Sequence, residues 1–338
     1  MIRAHGGPLG TARLRACPED FRVDEQLPFQ PSGVGEHCLI QVCKRGWTTE
    51  AVAKILAARA GVSRGAVSFA GLKDRHAVTT QWFSVHAPKA CPALLPGCLE
   101  DGVEIVAATR NARKLRRGAL GGNRFRLLVR EVSAPRRAVE RRLHAISRRG
   151  VPNYFGPQRF GRGGRNLQQA RAWLLEGEPV RGRTVRGLLI SAVRSDLFNR
   201  VLARRVAAGT WDTLLAGERA ALDGTGSHFP VVAVDAPLRR RVAQGDVHPS
   251  GPLPGVGGDR PEGAVAALED EVLAEEPELL AALAERGVRA DRRPLRLMPR
   301  QLVWHWPDAQ TLSLDFTLTA GAYATTVIAE VLETAAEE

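Results

Sequence analysis

The sequence predicts an α+β chain whose sheet is assembled from both chain ends and interrupted by a helical stretch. Three observations predict it. Strand texture fills much of the first 130 residues, helical periodicity dominates from about residue 160, and alternating apolar residues return after residue 300. Strands at both termini are most simply joined in one layer, with the middle of the chain inserted as a second body.

The elements follow in order. Glu36–Cys43 combines β-branched and small apolar residues, as strands do. Thr48 or Thr49 can then cap a helix that carries Glu50 in its first turn and closes at Gly61. Its apolar stripe is Val52, Ile55, Leu56 and Ala60. Further strands are expected at Gln81–His86, Gly102–Ala107 and Phe125–Val132, followed by an arginine-rich helix from Pro135 to Arg149. Leu167–Glu176, Ser191–Ala208 and Pro277–Arg286 have helical patterns, while the Gly/Pro-rich stretch 245–263 reads as loop. Gln301–Trp306 and Thr311–Leu318 read as strands, the second with nearly unbroken alternation, and Tyr323–Thr334 as a final helix. No internal repeat is evident.

The length of 338 residues favours about two domains, and 44% hydrophobic with 25% charged residues is ordinary for a globular protein. No run of eighteen apolar residues offers a membrane span, and the N-terminus lacks the apolar stretch of a signal peptide, so a cytoplasmic location is expected. The five cysteines form no C-x-x-C pair. Cys38 and Cys43 lie in a strand pattern, Cys91 and Cys98 flank a Pro-rich loop, and Cys17 stands alone; they read as buried or idle thiols. No H-E-x-x-H motif and no histidine spacing point to a metal.

Charge is the stronger clue. The net +12 is lopsided: residues 1–150 carry 26 basic and 12 acidic side chains, residues 151–338 carry 22 and 24. A GC-rich coding bias explains arginine in place of lysine but not its concentration in one half. A nucleic acid, whose phosphates such a surface neutralises, is the expected partner. Arg113, Arg116, Arg117, Arg136, Arg137, Arg141, Arg142, Arg148 and Arg149 are candidates for backbone contact, because acidic counterparts are scarce around them.

The densest chemical cluster is Phe69–Gln81, FAGLKDRHAVTTQ. Its Asp74 sits between Lys73 and Arg75, after a glycine and before a strand, where a loop could present it to a ligand. Cationic neighbours suit an ionised carboxylate, which a nucleophile or base requires. Alone, Lys-Asp-Arg is more often a solvated turn. Phe21 and Phe125, in strand patterns, read on their own as core residues; Asn123 after two glycines reads as a turn residue, and Tyr323 as the start of a helix. Gly161–Arg165 could cradle a phosphate or serve as a hinge into the next helix.

Taken together, the motifs resemble those of the TruD family of tRNA pseudouridine synthases. Besides the Asp74 cluster, the resemblance rests on Pro18-Glu19-Asp20-Phe21, Gly33–His37, Arg113–Leu120 with Gly122–Phe125, the signature Pro152–Gly161 (PNYFGPQRFG), and Ala320–Thr325. It covers both terminal regions in order; residues 205–290 share only a helical, variable character. The resemblance implies a pseudouridine synthase-like, mostly antiparallel sheet with flanking helices in a catalytic domain of residues 1–149 and 298–338. It also implies an inserted α/β TRUD domain over 150–297. It implies isomerisation of a uridine in tRNA, at position 13 of the D arm, with Asp74 as the catalytic carboxylate and no cofactor. Phe21, Asn123 and Tyr323 would contact the flipped nucleotide. Phe125 would stand against the base, able to stack but not to relay a proton. Arg15 would pair with Asp74 where the family has a lysine. A monomer is expected. The competing readings are a non-catalytic tRNA-binding or chaperone module on the same basic surface, and another RNA-modifying enzyme, for which no nucleotide-cofactor loop is found.

Overall fold

The computed structural model describes residues 1–88 and 94–334, and the chain divides into two compact units. One comprises Gly10–Ala134, Arg300–Gly321 and Leu332–Glu338; the other comprises Met1–Leu9, Pro135–Pro299 and Ala322–Val331. Cys91 lies outside the described residues.

The first unit is built on one sheet of eleven strands. From the N-terminal part come β1 (Thr11–Leu14), β2 (Phe21–Gln26), β3 (His37–Lys44), β4 (Val67–Phe69), β5 (Val78–His86), β6 (Gly97–Glu100), β7 (Val103–Asn111) and β8 (Gly122–Arg130). From the C-terminal part come β16 (Arg300–His305), β17 (Leu312–Leu318) and β18 (Glu333–Thr334). The central order is β16-β17-β8-β2-β5-β3-β7-β6, with β4 beside β5 and β1 joining β8 to β18. Among the described residues only β2–β5 and β1–β18 pair in parallel; every other pairing in this sheet is antiparallel. The α+β class with a mostly antiparallel sheet drawn from both chain ends is thus observed.

Period-two patterning explains the sheet's interior. On β8, Phe125, Leu127 and Val129 are buried while Arg124 and Arg126 are exposed. Register places Val23 and Phe316 opposite Phe125, and Phe21 and Leu314 opposite Leu127, so one continuous apolar face results. A second core packs α1 (Thr49–Ala60) against Ile40, Val42, Phe83, Val85 and Ile105 through Val52 and Leu56. This helix starts where Thr48 accepts the Ala51 N–H and ends at Gly61 in the left-handed region, as the sequence predicts.

The second unit carries α2 (Arg136–Arg149), β9 (Val151–Pro152), α3 (Arg165–Leu175), α4 (Arg183–Ala207), β10 (Arg219–Leu222), β11 (His228–Pro230), α5 (Ala236–Ala243), β12 (Val247–His248), β13 (Ser250–Leu253), α6 (Gly263–Leu273), α7 (Pro277–Glu285), β14 (Asp291–Pro294), β15 (Arg296–Leu297) and α8 (Ala324–Ala329). Its strands form small sheets of two and three. Helices α3, α4 and α7 share a core of Ala170, Leu189, Val193, Leu197, Leu279 and Leu283.

Here the structure departs from expectation in three places. Helix α4 begins at Arg183 rather than Ser191. The stretch 245–263 is not all loop, because β12 and β13 lie within it. Gly251 has no side chain for a reason: a Cβ there would stand 2.7 Å from a Leu295 methyl and 3.1 Å from the Phe198 ring. The last helix is short, running from its N-cap Tyr323 only to Ala329 before β18. Among the described residues, no helix is long and apolar enough to cross a membrane.

Candidate active site

Asp74 lies in the loop between β4 and β5, and its neighbours fix that loop from several sides. Thr49, at the start of α1, accepts the Lys73 N–H at 2.9 Å and donates its hydroxyl to Gln81 Oε1 at 2.9 Å. Gln81 in turn donates to the Gly71 carbonyl at 2.5 Å. On the other flank the Gly46 N–H donates to the Arg75 carbonyl at 3.1 Å. Three of these four bonds end on loop backbone, at Lys73, Gly71 and Arg75, which restricts its φ and ψ more than side-chain packing would.

Two lysines complete the clamp. Lys44, the last residue of β3 and 1% exposed, donates to the carbonyls of Asp74 and Trp47 at 2.8 Å each. Its burial pulls the ammonium pKa down to about 8, against the opposing pull of Asp74. Lys73 turns inward, and its Nζ lies 3.7 Å from Glu25 Oε2, both side chains being buried. Burial pushes the Glu25 carboxyl up and the Lys73 ammonium down, while the attraction between them opposes both shifts. Glu25 also accepts the Trp82 N–H at 3.1 Å.

The Asp74 carboxylate itself points out of this clamp and is about one-third exposed. Oδ1 accepts the His76 N–H at 2.9 Å, and Oδ2 lies 3.2 Å from Arg15 Nη2. Arg15 adopts φ +60°, a left-handed conformation uncommon outside glycine. Its guanidinium sits 4.1 Å from the centroid of Phe21. Phe21 meets Phe125 edge-on at 6.2 Å, and Phe125 stacks on Phe316 at 5.6 Å. The segment leading to Phe21 is held by Asp20, a fully buried carboxylate taking two bonds from Arg130 at 2.6 and 2.8 Å. Burial alone would raise the Asp20 pKa; the bonds from Arg130 outweigh it and hold the carboxyl below its usual range.

The structure therefore brings Asp74, Arg15, Phe21 and Phe125 into one chain of contacts. Phe21 and Phe125 are both largely buried. Asn123 shares the face of β8 that carries Phe125; its side-chain oxygen is buried and has no hydrogen-bond partner among the described residues. Tyr323 belongs to the second unit, where its hydroxyl accepts from Arg159 at 3.3 Å. Sequence reasoning did not single out Lys44 or Glu25, and it gave Thr49 and Gln81 no part in holding the Asp74 loop. The bonds Lys44–Asp74, Thr49–Lys73, Thr49–Gln81 and Glu25–Trp82 span 24 to 57 positions, so only register or an alignment could have flagged them.

Of the arginines expected to meet a nucleic-acid backbone, Arg113, Arg116, Arg137, Arg141 and Arg148 are exposed. Arg117 faces Glu50 at 3.7 Å, Arg136 pairs with Glu140 and Arg149 with Asp212, while Arg142 donates to the carbonyls of Gly7 and Glu330. Among the described residues no group of histidines, cysteines and carboxylates is arranged to hold a metal ion. Cys38 is buried, Cys17 and Cys43 half-buried, and Cys98 exposed.

Comparison with known proteins gives concordant matches. The family model described as tRNA pseudouridine synthase D (TruD) matches residues 6–181 and 180–331. The chain is similar to the tRNA pseudouridine synthase D of Nitrosococcus oceani, 49% identical over 338 residues, covering 99% of this chain and 94% of that protein. It is 46% identical over 345 residues to the protein of the same name from Xanthomonas euvesicatoria pv. vesicatoria, with coverages of 98% and 94%. A crystal structure described as a tRNA pseudouridine synthase D from Methanosarcina mazei superposes with a TM-score of 0.74 at 22% identity, covering 98% of this chain and 96% of that one. That last likeness shows the fold.

Proposed function

The chain belongs to the tRNA pseudouridine synthase D family and is a tRNA pseudouridine synthase, an isomerase, and on that premise we propose that Asp74 is its catalytic carboxylate. The observation that carries this reading is the contrast at Asp74: its backbone is fixed by Lys44 and by its neighbours' bonds to Thr49 and Gly46, while its carboxylate stays accessible beside Arg15. A group that must meet C1′ of a nucleotide gains most from such pre-organisation. The reaction breaks the N1–C1′ bond, turns the uracil, joins C5 to C1′, and transfers the C5 proton away while N1 gains one. One carboxylate serves either direct attack on C1′ or removal of a sugar proton.

The sheet-built unit supplies this chemistry, and 150–297, inside the helical unit, is the inserted TRUD domain. The target uridine, which the family resemblance puts at position 13 of the D arm, leaves its stack to reach Asp74. Arg15 orients the carboxylate. Phe21 and Phe125 back the site as an apolar floor. Asn123 offers the base an acceptor: an unpaired buried oxygen costs about 1–3 kcal/mol, and a base N–H would offset that cost. Tyr323 contributes a further substrate contact from the helical unit.

The test is tritium release from tRNA transcripts labelled at uridine C5, with no added cofactor. Wild type is expected to release tritium from one position, and Asp74→Asn to bind the same tRNA without release. An Asp74→Asn enzyme that turns over within a few-fold of wild type would remove Asp74 from the chemistry, and mapping the product to another uridine would remove the assignment to position 13.

A further inference from the structure

The signature Pro152–Gly161 is the longest motif that the Asp74 chemistry leaves unused, and within the helical unit it converges on Phe155. This ring is buried and meets Phe198 edge-on at 5.5 Å. Two guanidinium groups sit over it, Arg293 at 4.1 Å and Arg159 at 5.2 Å from its centroid. Arg293 is anchored, its Nη2 donating to Asn153 Oδ1 at 2.7 Å. Burial lowers the Arg293 pKa to about 10, and the neighbouring Arg159 charge adds to that lowering. The two cations therefore repel one another across a low-dielectric ring.

Arg159 differs from the ion-paired arginines of this unit in what it bonds. Arg171 pairs with Glu276 at 2.9 Å, Arg205 with Glu218 at 3.0 Å, and Arg292 with Glu269 at 2.5 Å. Arg159 donates instead to neutral hydroxyls, Ser191 Oγ at 3.2 Å and Tyr323 Oη at 3.3 Å. Its Nε is buried without an acceptor, and no carboxylate pairs with it among the described residues. A half-buried guanidinium beside a second cation, bonded only to neutral groups, lacks an anion. The planar fork that now spans two hydroxyls also matches two oxygens of a phosphate. Phe155, Pro157, Phe160 and Gly161 of the same signature line a cleft of about 580 Å³, large enough for a nucleotide.

From this geometry we infer that Arg159, with Arg293 behind it, forms a binding site for a backbone phosphodiester of the substrate RNA. The inference deepens the reading of Tyr323 as a substrate contact and rests on the chain's action on tRNA. It gives the signature a ligand, where its glycines and aromatics alone would be accounted for by packing.

The experiment measures tRNA binding as a function of salt in the Asp74→Asn background, where no turnover intervenes. Arg159→Gln is expected to make the slope of log K against log salt shallower by about 0.7–0.9, the value for one phosphate contact, and to weaken binding about tenfold at low salt. Arg159→Lys keeps the charge and the wild-type slope. Tyr323→Phe removes a hydroxyl and no charge, and also keeps the slope. Inorganic phosphate at millimolar concentration should compete weakly with tRNA in the parent protein and not in Arg159→Gln. A wild-type slope in Arg159→Gln overturns the site. So does an equal loss of slope in Tyr323→Phe, which would mark a structural effect, or a loss in Arg159→Lys, where charge is retained. Competition by phosphate without any change of tRNA slope also overturns it, since the site would then hold free phosphate only. Each readout is of binding and not of turnover, so its failure is distinct from a failure of the Asp74 assignment, which the tritium assay reads.

Discussion

Replacing Lys44 with methionine preserves the length of the buried stem and removes the ammonium that ties the Asp74 carbonyl to that of Trp47. Burial lowers the Lys44 pKa from 10.5 to about 8, so holding it charged in the fold costs on the order of 3 kcal/mol at 1.36 kcal/mol per unit. Below pH 8 both folded and unfolded chains carry the proton and that cost is present in full. Between about 8 and 10.5 the unfolded chain keeps a proton that the folded chain has released, so stability rises with pH. Methionine has no proton to lose. The stability difference, wild type minus variant, should therefore climb by about 2–3 kcal/mol between pH 7 and pH 10.5. Asp74, Lys73 and Cys43 are the charged or titratable groups that act on Lys44, and all are present in both proteins. At pH 7 the variant escapes the burial cost but leaves two carbonyls short of a donor, at about 1–3 kcal/mol each, so the two proteins are closest in stability there. Turnover should separate them more clearly. A hydrogen bond from a charged donor contributes about 1.5–3 kcal/mol, and if it holds Asp74 in register its loss lowers kcat about 10- to 100-fold. Denaturant titrations at pH 7, 8.5 and 10, with tritium release at saturating tRNA, measure both quantities. A stability difference that is flat with pH, or a variant within twofold of wild type in kcat, refutes the reasoning.

Two further expectations concern the helical unit. Arg205→Met leaves Glu218, whose side chain is 0% exposed, without its bidentate partner; unfolding free energy should fall by about 3–5 kcal/mol at pH 7. Burial already raises the Glu218 pKa despite Arg205, so the folded state binds its proton more readily than the unfolded chain. Stability is then lost as pH rises through the folded value, and the deficit of the variant should shrink in acid. Gly150→Ala tests the join between α2 and β9: Gly150 has φ +76°, and a Cβ there would stand 2.5 Å from the Leu297 carbonyl. A loss of at least about 2 kcal/mol, from backbone strain together with the clash, is expected in thermal melts.

Where local signals coincided, the sequence was legible. Thr48 and Gly61 bracket α1 because a side-chain cap and a left-handed glycine are chemical requirements of helix ends. The alternation of β17 is plain because one of its faces is buried and the other is not. Residues 236–273 were harder: β13 contains Gly251 and Pro252, which have little strand propensity, and tertiary packing against Leu295 and Phe198 decides the outcome. The Asp74 cluster stood out as a motif, but its supports did not. Neither Lys44 nor Glu25 carries a local signal, and only the parallel pairing of β2 with β5 brings Glu25 to Trp82 and Lys73.

The position of β17 also sets the order in which the sheet can be completed during synthesis. It lies against β8 along Asn123–Val129, yet 181 residues separate the end of β8 from the start of β17. At about 5–20 residues per second, the nascent chain exposes that edge of β8 for about 10–40 s. An open edge of this length is a template for pairing with another chain. Arg124, which later pairs with Asp315 of β17, places a cation along that edge while it waits. The charge that reads as surface decoration in the finished molecule thus guards an unfinished one.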